Sequence, residues 1–439
     1  MKEQLQESYP LDNSAMVHLA AMRKNYTNGF RIVVTLKEQV CAEALQKAVN
    51  HITLRFPTII AGIRPGFFQY HVVPEKVPPR IKREQECLAP MTKEEIQKCA
   101  FRIFYGGNRI VTEFFHSLTD GYGGMVVTNT LVAEYLKIMH SVSIPVTELT
   151  LEAESPALKE ELSDDYVAYA GKKPAAPKHR NVYQLPGIPA AAYRVTPARR
   201  IYPAEVIVET AHYYGASVTT FLTAVMLSAV MDIQKQHITK KKDKRPIQIM
   251  VPVNLRRLFP SRSVRNFSLY AFAGTEPQDE NVPFEELTGR VRKQLSKQIT
   301  VPAMEAAMAM NTRASRFPLY RAMPLPVKWL LLRLVHQFFG ESNSCISISN
   351  LGIISVPESM QDFIEEMDFM LTPRIHSPYN CGIVTFDGKM AVNFTRSSLE
   401  PELETLFFKK LEQFIERSDF LLYPQILCDE SSHKWAQET

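Results

Sequence analysis

The chain has 439 residues, of which 45% are hydrophobic and 22% charged, and its formal net charge is +5. These values are ordinary for a globular protein and exclude a disordered chain, a fibrous repeat and the strongly basic surface of a nucleic-acid binder. A run of about 18 apolar residues, the length that spans a bilayer, is absent, and the polar start MKEQLQESYPLDNSAM lacks the apolar core of a signal peptide.

In chain order, the β-rich stretch 29–36, GFRIVVTL, reads as a strand. Residues 40–55 follow as an amphipathic helix, with Val40, Ala44, Leu45, Ala48 and Ile52 on one face. Two short strands, 58–64 and 67–73, flank the turn signal Pro65-Gly66. Residues 101–106 and 109–115 form a hairpin through Gly107-Asn108, and a helix runs from Asp120 to about 140. Between 141 and 200 the periodicity fades into acidic and then Lys/Pro/Ala-rich sequence, which reads as a crossover.

The second half opens with a helix at 203–213, and Ser217 caps a long apolar helix. KKKDKR at 240–245 reads as a solvated loop, with a handhold for phosphates or an acidic surface as the alternative. A strand over IQIMVPVNL, helices at 282–299 and 302–313, and the apolar helix PLPVKWLLLRLVHQFF follow. Lys328, Arg333 and His336 interrupt that last segment, so it reads as a core helix and not as a membrane-surface anchor. The strand SCISISN, a hairpin at 380–396 through Asp387-Gly388 and a helix at 400–416 complete the chain. The pattern predicts mixed α/β layers in two halves: 1–170, a crossover at 171–200, and 201–439. The cysteines at 41, 87, 99, 345, 381 and 428 show no metal-like spacing, several lie in apolar patterns that read as small buried hydrophobes, and reduced thiols point to the cytoplasm.

The chemistry concentrates at 111–125, VTEFFHSLTDGYGGM. His116 sits where a strand ends and a loop enters a helix, a common place for a scaffold to present a reactive group. A neutral imidazole there can take a proton from a hydroxyl, amine or thiol. Asp120 is placed to cap the helix and hold an ion pair that fixes the loop, and Gly121 lets the backbone turn beside it. By spacing alone a strand-end histidine has a structural reading as well. The sequence has no G-x-S-x-G elbow, H-E-x-x-H, Walker A loop or G-x-G-x-x-G fingerprint. Of the other histidines only His376 reads as a pocket residue.

FFHSLTDGYGG resembles the H-x-x-x-D-G motif of acyltransferases built like chloramphenicol acetyltransferase, a superfamily that includes condensation domains and alcohol acetyltransferases. VPVNLR at 251–256 with Arg265-Asn266-Phe267, and Ser349-Asn350-Leu351-Gly352, resemble two further family segments in the same order. The resemblance implies two similar mixed-sheet halves in a V with an active-site tunnel between them. It implies His116 as general base, Asp120 as a structural carboxylate paired with Arg256 (Arg257 next), and Ser349 and Asn350 as donors to substrate or oxyanion. Phe115 stands where condensation domains carry a second histidine, and the D-F-G-W-G motif of the plant branch is absent, which leaves the alcohol acetyltransferase branch as the nearest pattern.

The expected function is transfer of an acyl group from a CoA thioester, such as acetyl-CoA, to an alcohol or amine by a monomer. It needs no metal, resident cofactor, nucleic acid or membrane-spanning segment. Two alternatives remain: an acyltransferase or condensation enzyme using a carrier protein in trans, and a non-catalytic binding protein of the same fold.

Overall fold

A computed structural model describes residues 7–12, 15–23, 25–174, 180–191, 194–279, 281–335, 343–374 and 377–422. The strands of the first half are β1 (Tyr9–Pro10), β2 (Gly29–Leu36), β3 (Ala61–Pro65), β4 (Tyr70–Pro74), β5 (Lys82–Arg83), β6 (Phe101–Gly106) and β7 (Arg109–Phe115). Those of the second are β8 (Thr196–Pro203), β9 (Ile247–Asn254), β10 (Ser268–Thr275), β11 (Ile346–Ile353), β12 (Ile364–Leu371), β13 (Tyr379–Phe386) and β14 (Lys389–Arg396). They form a five-stranded sheet in the order β12-β2-β7-β6-β5, a six-stranded sheet β10-β9-β11-β13-β14-β8 and a small sheet β1-β4-β3. The larger sheets are mixed: β11 runs parallel to both β9 and β13, whereas β2, β7 and β6 are antiparallel neighbours.

Burial explains the local choices. β2 is a Val/Ile run buried on both faces, as befits a strand inside a sheet covered on each side. The helix Gly121–His140 packs against Ala42–Ile52, which buries Ala44, Leu45, Ala48, Val49 and Ile52 on its apolar stripe. In the second half, Val218–His237 is wedged between Phe284–Gln298 and Glu402–Leu422. Ser217 caps it by accepting from Thr220 N. Among the described residues two large hydrophobic cores result, one for each half, with a small cluster of Val33, Phe104 and Val111 beside them.

The structure differs from the sequence reading in three places. First, the cores do not follow the division at 171–200. β12 pairs antiparallel with β2 across Ile364 to Leu371, so a strand from the second half forms an edge of the first half's sheet. Second, residues at the end of the expected crossover form β8, held by β14 through the whole register from Thr196 to Pro203. Its sequence, TPARRIYP, has two prolines and two arginines, a composition suited to an edge strand and easily read as a linker.

Third, the helix Leu325–Val335 is not enclosed. Leu325 and Lys328 face inward, while Val327, Leu330 and Leu331 are exposed. A helix on a surface needs only one apolar stripe for the core, and here the remaining apolar face is left to the outside. Among the described residues no single helix is long and apolar enough to cross a membrane.

Candidate active site

β7 delivers His116. The strand closes with Phe115 N donating to Ala100 O, and His116 N then donates to Asn28 O at 2.9 Å. The next residues turn at once into the helix Gly121–His140, because Asp120 caps it: its Oδ1 accepts from Gly123 N at 3.1 Å. The other carboxylate oxygen reaches the second half of the chain. Oδ2 accepts from Arg256 Nη1 at 2.8 Å and from Phe267 N at 2.7 Å. Both partners of this ion pair are buried, with side chains 5% and 4% exposed. Arg257 does not join it; its exposed side chain borders the neighbouring cavity.

Arg256 is fixed from every side. Its Nε donates to Ser263 O, its Nη2 to Arg265 O, and its guanidinium lies 4.5 Å from the Tyr122 ring centroid. The loop it organises feeds back on the histidine, since Asn266 Nδ2 donates to His116 O at 3.0 Å. Thr119 Oγ1 donates to Val264 O at 2.6 Å, a further stitch across the halves. Gly123 is required at this crossing: a Cβ there would lie 2.1 Å from Val264 O. At Gly121 a Cβ would meet the Leu351 side chain at 2.6 Å.

His116 borders a cavity of about 580 Å³, lined from both halves of the chain. That volume lies within the usual range of small-molecule sites. Its Nδ1 is buried and makes no hydrogen bond among the described residues, while the side chain lines the cavity. Burial lowers the imidazole pKa below its ordinary value, opposed in part by the Asp120 carboxylate. The ring is therefore neutral at physiological pH and able to accept a proton.

Ser349 and Asn350 lie on β11 and line the same cavity. There the β11–β13 register shifts between Asn350 and Ile353, and Gly352 takes a positive φ of 80°. Asn350 is committed to this bulge: its Oδ1 accepts from Gly352 N, and its Nδ2 donates to Thr219 Oγ1. Ser349, by contrast, makes no side-chain hydrogen bond among the described residues and is the freer donor of the two. The basic run KKKDKR does not border the cavity, and His376 lies outside the described residues.

The cavity also brings in a histidine that the sequence reading did not single out. His18, on the short helix Met16–Ala21, stacks on His116 with ring centroids 4.3 Å apart and planes inclined by 16°. Its Nδ1 is 2.7 Å from Asn28 Nδ2, so Asn28 holds both histidines, one through its side chain and one through its carbonyl. Nothing local in MVHLAA marks His18, because the pairing arises from strand placement and not from spacing. Among the described residues, no group of three or more His, Cys, Asp or Glu side chains is arranged to hold a metal.

No family model matches the chain. An uncharacterized protein of Mycobacterium tuberculosis is 25% identical over 299 residues, covering 66% of this chain and 67% of that protein. Among solved structures, polyketide synthase associated protein 5 from Mycobacterium tuberculosis superposes with a TM-score of 0.61 at 14% identity, covering 95% of this chain and 99% of that one. The condensation domain of the monacolin K polyketide synthase gives 0.58 at 12% identity, with 96% and 99% covered. The TRI101 protein of F. graminearum, solved with ethyl coenzyme A, gives 0.61 at 10% identity, with 91% and 96% covered. This is the chloramphenicol acetyltransferase-like fold. The chain's structural neighbours include a protein solved with ethyl coenzyme A and a condensation domain.

Proposed function

We propose that the protein transfers an acyl group from a coenzyme A thioester to an alcohol or amine, with His116 as general base. The observation that carries this reading is a half-buried histidine, its pKa lowered by desolvation, that lines a cavity of about 580 Å³ together with residues of both halves of the chain. His116 takes the proton of the acceptor hydroxyl or amine as its oxygen or nitrogen attacks the thioester carbonyl. The tetrahedral oxyanion collapses with cleavage of the C–S bond, and the departing thiolate takes the proton back from the imidazolium. Products are the ester or amide and free coenzyme A. Ser349 is the preferred oxyanion donor, since its hydroxyl has no competing partner; donors of this kind contribute about 2.7–4 kcal/mol in other enzymes.

No covalent acyl-enzyme is invoked. Among the described residues no cysteine lines the cavity, and burial pushes the Cys345 thiol up to about 12, far from a reactive thiolate. Asp120 and Arg256 hold the His116 loop and do not touch substrate in this reading. Five free cysteines among the described residues support action in a reducing compartment, the cytoplasm.

The test is thiol release from acetyl-CoA and longer acyl-CoAs with a panel of alcohols and amines. Turnover that falls at least ~100-fold in His116→Ala supports the mechanism, and undiminished turnover in that variant refutes it. A carrier-protein donor is the second reading, favoured by the likeness to a polyketide synthase associated protein and a condensation domain. It predicts silence with every coenzyme A thioester and turnover with an acylated carrier.

A further inference from the structure

The outer surface of the helix Leu325–Val335 carries an exposed apolar cluster outside the catalytic cavity. Leu330 is 61% exposed, Phe317 54% and Leu319 80%; the tip of the β3–β4 hairpin adds Phe67 at 72%. Monomeric proteins rarely leave such side chains clustered in water.

The cluster is fixed in place. Leu325 N donates to Phe67 O at 2.9 Å, and Lys328 Nζ donates to Phe68 O at 2.8 Å and to Arg321 O at 3.1 Å. The Lys328 ammonium also lies 5.0 Å from the Tyr320 ring centroid, and Trp329 packs edge-on against Tyr70. These contacts hold the hairpin tip beside the helix and the segment that precedes it, and each of the three carries exposed apolar side chains.

Charge selects the occupant. From residue 306 to residue 340 the sequence contains no Asp or Glu, yet it carries Arg313, Arg316, Arg321, Lys328 and Arg333. Arg313, Arg321 and Arg64 on the hairpin are exposed, and none forms an ion pair with a described residue. An acidic protein partner would need carboxylates set against each arginine and a shaped groove for the apolar tips. A bilayer surface needs neither. Exposed Phe and Leu enter the boundary between headgroups and acyl chains, while arginines beside them meet anionic headgroups.

We propose that this surface seats the protein on anionic membranes, with Phe67, Leu319 and Leu330 inserted and Arg64, Arg313 and Arg321 against the headgroups. The proposal does not depend on acyl transfer. It places the contact close to the cavity all the same, because the helix Leu325–Val335 packs against Met16–Ala21, the helix that bears His18.

The test is co-sedimentation with phosphatidylcholine vesicles containing roughly 30% phosphatidylglycerol, against phosphatidylcholine alone. The wild type should pellet with the anionic vesicles only and be released by salt, since the headgroup attraction is screened. Leu330→Glu should lower partitioning at least ~10-fold, and Arg321→Ala about fivefold, the effect of one basic side chain near an anionic surface. Both positions are exposed, and an unchanged circular dichroism spectrum verifies their folds. A wild type left in the supernatant, or a Leu330→Glu variant that binds as well as the wild type, overturns the proposal. So does a wild-type dimer in light scattering that Leu330→Glu converts to monomer, because the surface would then be an interface between two copies.

Discussion

Replacing Asp120 with asparagine tests the architecture of the site most directly, because the change is nearly isosteric. In the native arrangement one carboxylate oxygen caps the helix, and the other serves Arg256 Nη1 and Phe267 N. Asparagine has one acceptor for these three donors. With its oxygen on the cap, its amide faces two other donors; with its oxygen toward Arg256, the cap is lost at about 1 kcal/mol and the arginine still lacks its counter-charge. Breaking a buried ion pair by removing one partner costs about 3–5 kcal/mol. The low end applies here, because Arg256 keeps the carbonyls of Ser263 and Arg265. Urea unfolding of Asp120→Asn should therefore show a loss of about 3 kcal/mol. Adding Arg256→Met should return part of it, a coupling of about 0.5–3 kcal/mol in a double-mutant cycle. A single-mutant loss below ~1 kcal/mol, the level of an exposed pair, would refute the reasoning. Full additivity of the two changes would do the same.

The other expectations concern the base and its surroundings. Burial lowers the His116 pKa, so kcat/KM should rise with pH through a midpoint below the ordinary value of 6.5 and stay level above it; a midpoint above 6.5 contradicts the assignment. The same shift has a stability consequence: below pH 6.5 the unfolded chain binds more protons at this site, so stability is lost as pH falls through that region, less steeply in His116→Ala. Gly123→Ala drives a methyl against the Val264 carbonyl oxygen and should cost roughly 1–3 kcal/mol or more, measured by thermal unfolding. His18→Phe keeps an aromatic ring over His116 but loses the Asn28 contact; kcat should fall roughly tenfold with KM for the thioester unchanged, and wild-type kcat would leave His18 with no positioning role.

Much of this was legible in sequence where a signal is local. The helix cap at Asp120, the cap at Ser217 and the hairpin through Asp387-Gly388 each rest on one or two residues whose side chains or backbone freedom dictate the turn; Asp387 and Gly388 both take positive φ. β6 and β7 were readable because β-branched and aromatic residues alternate around a Gly-Asn turn. The pairing of Asp120 with an arginine of the second half came from a resemblance, since nothing in the spacing of residues so far apart could supply it. His18 had neither kind of signal. β8 was masked by prolines that an edge strand tolerates, and the exposed face of Leu325–Val335 by an apolar composition that fits a core helix equally well.

The placement of β12 explains why the site is held more firmly than a cleft between two independent domains. β2 pairs with β7 on one side and with β12 on the other, so a strand from each half brackets it. β7 ends at His116, and β12 carries Phe369, which lies against Phe30 of β2, whose ring in turn packs edge-on against His116. Separation of the halves would have to strip β12 from β2 and break the Asp120–Arg256 pair together. Hinge motion about the crossover at 171–200 is therefore not free to open the cavity. Interface motions are the default between domains joined only by a linker. Here a shared sheet removes that default, and β2, β7 and β12 tie His116 to a strand of the second half.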